Sequence, residues 1–292
     1  MLIAIGAVIV IGSVIGGFLW EKGNLYLLYQ PAELLIIGGS GIGAFIIGSS
    51  TETIKSVVHG LKSVMVSKPY VRKDYLEALK VLNGVFAKIR KDGLISLESH
   101  LNAPKKSDLF KKHPEFLKNE HALNLLTDTL RSMTTIKLTS HQLDALLETE
   151  IETYHEELMV SSKGVANMAD SFPGLGIVAA VLGVVVTMTK ITEPAEVLGH
   201  SIGAALVGTF LGILLCYGFM GPIARRLEGI ADQEKEYLVV LKTVIVAFVS
   251  GLHPQMSIEF GRMLIPDAVR PSFHEVEEII RQAKKAEAKP AA

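Results

Sequence analysis

Three groups of residues have types and spacings that could support chemistry. The first is the segment GGSGIGA, Gly38–Ala44, whose G-x-G-x-x-A spacing after an apolar run is typical of a loop that binds dinucleotide phosphates. Its context excludes that role. A nucleotide loop opens a helix at the surface of a parallel sheet, whereas these glycines lie within an uncharged segment of membrane-spanning length.

The second group is the pair Glu152 and His155, which has the spacing of metal ligands on one helix face. Carboxylate–histidine metal sites in helix bundles combine such a pair with ligands from other helices, and the remaining histidines are scattered. The sequence also contains neither a phosphate-binding lysine loop nor a nucleophile elbow. We therefore predict no metal site and no cofactor, and we do not expect an enzyme.

The third group consists of hydroxyl side chains inside apolar runs, mainly Thr187, Thr189 and Thr209. Hydroxyls can line an ion path, but titratable side chains are what mark proton relays in membranes. The interiors of the four longest apolar runs contain no Asp, Glu, Lys, Arg or His. If this chain moves ions, a second polypeptide is expected to supply the carboxylate.

A proline and two glycines stand at the start of one of these runs, in SFPGLGIVAAVLGVVV. Pro173 lacks an N–H group, and Gly174 and Gly176 remove side-chain bulk beside it, so the segment could be a bend within a helix. Broken helices at membrane depth survive where protein or a wet cavity covers them. The alternative is a simple helix start, since proline is favoured in the first turn.

The composition indicates the elements that must position these residues. Of 292 residues, 49% are hydrophobic and 20% are charged, with a mean hydropathy of +0.37, which favours a membrane protein. A net charge of −1 gives no reason to expect nucleic acid as a partner. The single cysteine, Cys216, lies in an apolar run and is expected to be a packing residue.

Four runs are long and apolar enough to cross a bilayer as helices. They are Met1–Trp20, Leu34–Thr51, Ser171–Thr189 and Ser201–Ile223. We therefore predict an all-α integral membrane protein with four transmembrane helices and a helical cytoplasmic domain. A fifth run from Tyr237 is shorter and contains Lys242, which indicates a buried or interfacial helix rather than a span.

Basic residues follow the second and fourth runs, and such residues concentrate on the cytoplasmic side. The prediction is therefore that the long middle segment and the C-terminal tail lie in the cytoplasm and that both short links lie outside. The predicted divisions are residues 1–51 for the first two spans, 52–170 for a cytoplasmic helical domain, 171–223 for the last two spans, and 224–292 for cytoplasmic C-terminal helices and a tail.

Two pairs of residues have the spacing of helix capping boxes, namely Thr139 with Gln142 and Ser272 with Glu275. The Ala, Lys and Pro tail is expected to be disordered.

Nearly the whole chain resembles the MotA family of flagellar stator subunits. The resemblance is carried by YQPAELLIIGGSGIGAFI, FPGLGIVAAVLGVV, VGTFLGILLCYGFMGPIA and EFGRMLIPDAVRPSFHEVEE, together with the paired-helix layout and the long cytoplasmic insert. It implies a multi-pass protein of the bacterial inner membrane that couples ion flow to torque. The related ExbB and TolQ proteins are similar in plan but lack this combination of motifs.

The resemblance also implies partners and residue roles. A homo-pentamer of this chain would surround a dimer of a MotB-like single-span protein, whose aspartate carries the ion. Pro173 and Pro222 match the prolines that couple ion passage to shape change, while Ala180 and Thr209 face the ion route. Arg90 and Glu98 match the charged pair that engages the rotor protein FliG.

The transported ion and two rival functions follow from the same comparison. Sodium-driven relatives carry a threonine at the position of Ala180, so the alanine favours protons over sodium. One alternative function is an ExbB- or TolQ-like proton-driven energiser of an envelope system, without a rotor. The other is a passive membrane scaffold held together by glycine pairs four residues apart, such as Gly208 and Gly212.

Overall fold

The structure is a computed structural model that describes residues 2–287, with side chains as far as Arg281. Within these residues the chain forms helices and no strand, which confirms the all-α prediction. Of the Ala, Lys and Pro tail predicted to be disordered, the residues up to Glu287 are helical, and those from residue 288 onward lie outside the described residues. The chain divides into two compact units.

The first unit comprises the residues up to Ser67 and Glu156–Ala231, and the second comprises Lys68–His155 and the residues from Asp232 onward. The helices of the N-terminal part are α1, Leu2–Trp20; α2, Leu25–Leu28; α3, Pro31–Ile47; and α4, Thr51–Val66. Those of the middle part are α5, Arg72–Asp92; α6, Glu98–Asn102; α7, Asp108–Lys111; α8, Pro114–Lys118; and α9, Glu120–Thr135. The remainder are α10, Ser140–Met188; α11, Ala195–Leu214; α12, Gly221–Val249; α13, Pro254–Leu264; and α14, Phe273–Glu287.

Four helical segments are long and apolar enough to span a membrane, which confirms the predicted number. They are Leu2–Trp20, Leu25–Ile47, Ser140–Met188 and Ala195–Val249. The second consists of α2 and α3, and α3 itself begins before the predicted start at Leu34, because Pro31 occupies its first helical position. The predicted boundaries at residues 51, 170 and 223 refer to the two sides of a membrane, so they stay predictions.

Both prolines of the predicted ion route lie in long helices. Pro173 is inside the 49-residue helix α10, so the alternative that it begins a helix is wrong. Pro222 is the second residue of α12 and lies two residues after a π-helical turn, Leu215–Met220. Proline cannot donate to the helix ladder and its ring crowds the carbonyl four residues back, and a wider turn before it relieves that crowding.

The second unit is built around an apolar core to which α5, α9 and α12 contribute buried side chains. Phe86 of α5 stacks on Phe248 of α12 with ring centroids 4.0 Å apart. The run from Tyr237 is buried in this core, and Lys242 within it forms ion pairs with Asp144, at 3.0 Å, and with Glu148. This confirms the prediction of a buried helix there.

One end of this core contains a polar cluster. The Tyr70 hydroxyl donates to Glu234 Oε2 at 2.7 Å and accepts from Asn119 Nδ2 at 2.5 Å, while the Tyr70 ring stacks on Tyr237. Burial raises the pKa of Glu234, against the opposing effects of Tyr70, His121 and Asn119. The cluster thus holds a largely buried carboxyl group by hydrogen bonds to neutral partners.

Both predicted capping boxes are present. Gln142 N–H donates to Thr139 Oγ1 at 3.2 Å, and Gln142 Oε1 accepts from the Thr139 N–H at 3.0 Å. Ser272 and Glu275 make the same reciprocal pair at 2.7 and 3.2 Å. These bonds satisfy N–H groups that the first turn of a helix leaves unpaired.

Candidate functional site

The site is centred on a buried carboxylate in the first turn of α3. Glu33 has a relative exposure of 8%, and its Oε2 atom has no hydrogen-bond partner among the described residues. A buried charged oxygen without a partner is costly in free energy, and more so within a membrane-spanning helix. The predicted second run, Leu34–Thr51, excludes Glu33, whereas α3 begins at Pro31 and includes it. This span candidate therefore contains a titratable side chain outside the run that was predicted.

Two glycines make room for the Glu33 carboxylate. A Cβ atom on Gly208 of α11 would lie 2.6 Å from Glu33 Oε2, and one on Gly183 of α10 would lie 3.6 Å from Glu33 Oε1. Real Cβ contacts below about 3 Å essentially do not occur, so a side chain at position 208 would have to displace the carboxylate. The carboxylate thus lies where α3 meets both α10 and α11.

At the same place α10 and α11 cross with their backbones in contact. A Cβ atom on Gly176 would lie 2.8 Å from the Gly208 carbonyl oxygen and 3.1 Å from Gly212 Cα. Close approach of this kind is what glycine permits between helices in lipid. Gly208 and Gly212 are one of the predicted pairs, and this crossing explains their spacing.

Two residues of the predicted ion route belong to this crossing. Ala180 N would lie 3.1 Å from a Cβ atom on Gly208, and Thr209 Cα would lie 3.3 Å from one on Gly176. Both residues are half-buried. The structure therefore places Ala180 beside Gly208, which also borders Glu33, and Thr209 beside Gly176 at the same crossing. The sequence analysis did not select Glu33.

Pro173 lies beside the crossing, one residue after a large aromatic side chain. The Phe172 carbonyl faces Gly212, and the Phe172 ring fills the space beside Gly41 of α3, where a Cβ atom would be 2.6 Å from Cε1. Ile37, Phe172 and Ala179 are buried in one apolar cluster with Cys216. Buried Cys216 is thus a packing residue, as predicted.

Pro222 has a different environment from Pro173. It is exposed at the start of α12 and borders a groove that α1 and α4 also line. Its neighbours in that groove include Gly6, Val10 and Arg226. The groove residues do not include any member of the Glu33 crossing.

The residues predicted to bind the rotor lie in the second unit. Arg90 is in the last turn of α5 and Glu98 is the first residue of α6, on either side of a turn in which Gly93 has φ +79°. Both side chains are exposed, and neither forms a hydrogen bond or ion pair with another described residue. They are available to a charged partner surface.

Glu152 and His155, whose spacing is that of metal ligands but for which we predict no metal site, contact side chains of α12. His155 Nε2 lies 3.0 Å from Asp232 Oδ1, and Glu152 pairs with Lys235. Among the side chains that the structure describes, as far as Arg281, there is no group of three His, Cys, Asp or Glu residues that could hold a metal ion. Glu152 and His155 therefore link α10 to α12 within the second unit, by an ion pair to Lys235 and a hydrogen bond to Asp232 respectively.

Glu33 could have been found from a local signal in the sequence. The predicted second span begins at Leu34 because an uncharged run ends at the first charged residue, which here is Glu33. Proline at the first helical position, however, indicates that the helix starts at Pro31 and includes Glu33 in its first turn. The glycines opposite it are brought there by tertiary packing, which no local pattern predicts.

Two family models match this chain. Residues 4–93 match the motility protein A N-terminal model. Residues 118–239 match the model of the MotA/TolQ/ExbB proton channel family. Together the two matches include every residue of the Glu33 crossing.

The chain is similar over nearly its whole length to curated proteins. It is 39% identical to motility protein A of Salmonella typhimurium over 284 residues, which are 97% of this chain and 96% of that protein. It is 38% identical to motility protein A of Escherichia coli over the same shares of both chains. Chemotaxis protein LafT of Vibrio parahaemolyticus is 31% identical over 94% of this chain and 96% of its own.

Two solved structures share the fold. A chain in the structure of C. jejuni MotAB has a TM-score of 0.76 and 18% identity, covering 93% of this chain and 98% of that one. A chain in the flagellar MotAB stator complex from Bacillus subtilis has a TM-score of 0.74 and 22% identity, covering 92% and 98%.

Proposed function

The chain belongs to the motility protein A family, and from this premise we propose how its residues couple ion flow to rotation. It is a stator subunit of the bacterial flagellar motor. In our proposal, protons pass from the periplasm to the cytoplasm through the α10–α11 crossing. Glu33, Ala180 and Thr209 line this route, and a carboxylate from a MotB-like partner completes it.

The observation that carries this proposal is the unpartnered Oε2 atom of Glu33. A structural carboxylate would be expected to have a donor, because leaving it unpaired costs free energy and gains nothing for the fold. A carboxylate that accepts and releases a proton, or that meets a partner's group, needs such a vacant position. Thr209 has a hydroxyl that can hydrogen-bond to water in the same route.

We propose that protonation and deprotonation of the carboxylates in the route bend α10 at Pro173. Its missing N–H leaves α10 without one backbone bond beside the Gly176–Gly212 contact, so bending there costs less than elsewhere. Each protonation removes a charge from a region of low dielectric and changes the preferred packing. The gradient supplies about 2.3 kcal/mol per charge per 100 mV of potential.

The partner and the assembly are proposed from unpartnered apolar surface and from the two structural neighbours, which are chains of MotAB complexes. Val178, Val181 and Val185 of α10 are exposed in the isolated chain. Such side chains in a span must face lipid or other helices. We propose a homo-pentamer around a MotB-like dimer in the bacterial inner membrane, with the middle segment and the C-terminal helices in the cytoplasm.

The proposed output is contact with the rotor protein FliG through Arg90 and Glu98. Their exposure and lack of internal partners support this assignment, since both charges are free to pair across an interface. Ala180 supports protons over sodium as the transported ion, because it offers no side-chain oxygen as a ligand. Apart from the O–H bonds of the proton transfers, the proposed cycle makes and breaks no covalent bond.

The alternative of an ExbB- or TolQ-like energiser shares the ion route but has no rotor. We would separate the two by expressing the chain in a motility-null host, with and without a MotB-like protein, and measuring swimming while varying sodium and an uncoupler. Sodium-independent, uncoupler-sensitive swimming that requires the partner is the expected result. An ion flux that never produces swimming, with no binding to FliG, would instead favour the energiser.

A further inference from the structure

A groove of about 560 Å³ lies between α1, α4 and the start of α12, all within the first unit. One wall is the small-residue face of α1 that contains Gly6, Ala7 and Val10. The opposite wall contains Gly218 and Phe219 of the π-helical turn. Most of the lining is apolar, and a Cβ atom on Gly6 would have no other atom within 4 Å.

One end of the groove carries a cation. Arg226 is half-buried there, and it forms no hydrogen bond or ion pair with any described residue. Two other half-buried arginines contrast with it: Arg262 is bound to Glu259, and Arg270 to Asp267 and the Ile265 carbonyl. The Arg226 guanidinium therefore has unused donors at the mouth of an apolar channel.

The Arg226 end of the groove is its cytoplasmic end. Leu2 and Ile3, at the start of α1, line the groove together with Met65 and Ser67 near the end of α4. Arg226 follows the fourth span, where basic residues mark the cytoplasmic side. Gly6 and Val10 then lie progressively deeper in the bilayer along α1.

We propose that this groove binds an anionic phospholipid of the cytoplasmic leaflet. The phosphate accepts hydrogen bonds from the Arg226 guanidinium, and one acyl chain follows the open face of α1 past Gly6 as far as Val10, where α1 packs on Gly218. Both halves of the ligand match the groove, because the anionic phosphate can pair with Arg226 and the acyl chain covers the apolar walls. The proposal rests on the membrane placement of the helices and not on ion coupling.

The test uses the full chain, purified with its MotB-like partner and placed in nanodiscs containing equal amounts of phosphatidylglycerol and phosphatidylcholine. Lipid that remains bound after delipidation is counted by native mass spectrometry. Phosphatidylglycerol is expected to be retained in preference. Arg226→Gln should lower its retention roughly fivefold, the effect expected from one basic residue beside an anionic headgroup. Arg226→Lys should keep most of it.

Arg225→Gln is the matched control, because it removes the same charge one residue away and Arg225 is not among the groove residues. It should leave retention unchanged. Gly6→Leu fills the channel without touching Arg226 and should reduce retention of both lipids. If Arg226→Gln does not accumulate in membranes, Arg226→Lys and Gly6→Leu still decide the question.

Three results would overturn the proposal. Equal retention of the two lipids by the wild type would remove the headgroup recognition. An equal loss in Arg225→Gln and Arg226→Gln would indicate general surface charge. Unchanged lipid retention in Gly6→Leu, with loss of the oligomer, would show that a helix of a second copy occupies the groove. Loss of swimming with normal lipid retention would concern the ion route and not this site.

Discussion

The carboxylate of Glu33 lies against Gly208 so closely that a Cβ atom on that glycine would be 2.6 Å from Oε2. One residue is in the first turn of α3 and the other is in the middle of α11. This contact places the Glu33 carboxylate at the crossing of α10, which contains Ala180, and α11, which contains Thr209. The predictions for the ion route start from this contact.

Gly208→Ala should abolish swimming while leaving the protein in the membrane. The added methyl would meet Glu33 Oε2, the Ala179 side chain at 3.0 Å and Ala180 N at 3.1 Å, so the crossing must open. Overpacking of this kind costs about 1–3 kcal/mol. Gly199→Ala on the same helix is the control, since its Cβ would meet no atom within 4 Å. Swimming radius and membrane abundance are measured; equal effects of the two changes would contradict the prediction.

Glu33→Gln keeps the size of the side chain and removes its proton exchange. We expect proton flux through the reconstituted complex to fall by at least about tenfold, equivalent to 1.4 kcal/mol, with assembly unchanged. Glu33→Asp, which keeps a titratable group, should retain part of the flux. A pH-sensitive dye in proteoliposomes of the full complex gives the rate. Wild-type flux in Glu33→Gln would exclude this carboxylate from the route.

Pro173→Ala should stabilise α10 and stop the motor. Proline inside a helix costs about 3 kcal/mol, so alanine is expected to raise the melting temperature of the purified chain. The same substitution removes the proposed bending point, and torque measured on tethered cells should fall. Pro114→Ala is the control, because Pro114 occupies the first turn of α8, where its missing N–H is not needed. Full torque in Pro173→Ala would refute the bending role.

Arg90→Glu should weaken binding to FliG without destabilising the chain. The side chain is exposed and makes no internal ion pair, so the expected change in stability lies within about 0.5 kcal/mol. Lys91→Glu provides the same charge change at the next position. Binding is measured with the full complex in nanodiscs, and swimming is scored in parallel. An equal loss in both variants would indicate a general charge effect rather than a specific contact.

Glu234→Gln should stabilise the protein at neutral and alkaline pH. Burial raises the pKa of Glu234 above its ordinary value in the unfolded chain, so folding favours the protonated form. The stability that Glu234 contributes is fully present at a pH below its pKa in the unfolded chain. It is lost as the pH rises through its higher pKa in the folded protein. Glutamine is neutral and still accepts the Tyr70 hydroxyl bond. Melting temperatures at pH 8 and pH 5 should show a gain that shrinks on acidification; a gain that grows would contradict this sign.

Periodicity and end signals predicted the elements well. Four spans, the buried helix around Lys242 and both capping boxes depend on residues close together in sequence, and all are present. The family matches confirm the stator assignment. The assigned roles of Pro173, Ala180, Thr209, Pro222, Arg90 and Glu98 stay predictions.

Glycine spacing did not identify which glycines contact another helix within this chain. Gly12, Gly16, Gly39 and Gly43 have the four-residue spacing of contact pairs, yet a Cβ atom on any of them would meet no other described atom within 4 Å. Gly176 and Gly183, which are not spaced in this way, make close contacts with α11. Spacing shows that a helix can be approached, but the partner is set by tertiary packing of α3, α10 and α11.

The Phe172 ring, seated beside Gly41, ties the movement of one helix to that of another. Phe172 is the residue before Pro173. If α10 bends at Pro173, either α3 moves with it or the Phe172 ring loses its contact with Gly41. Glu33, in the first turn of α3, is thus linked through this contact to the proposed bending point in α10. In the proposed cycle, bending at Pro173 would therefore move the Glu33 carboxylate as well as respond to its protonation.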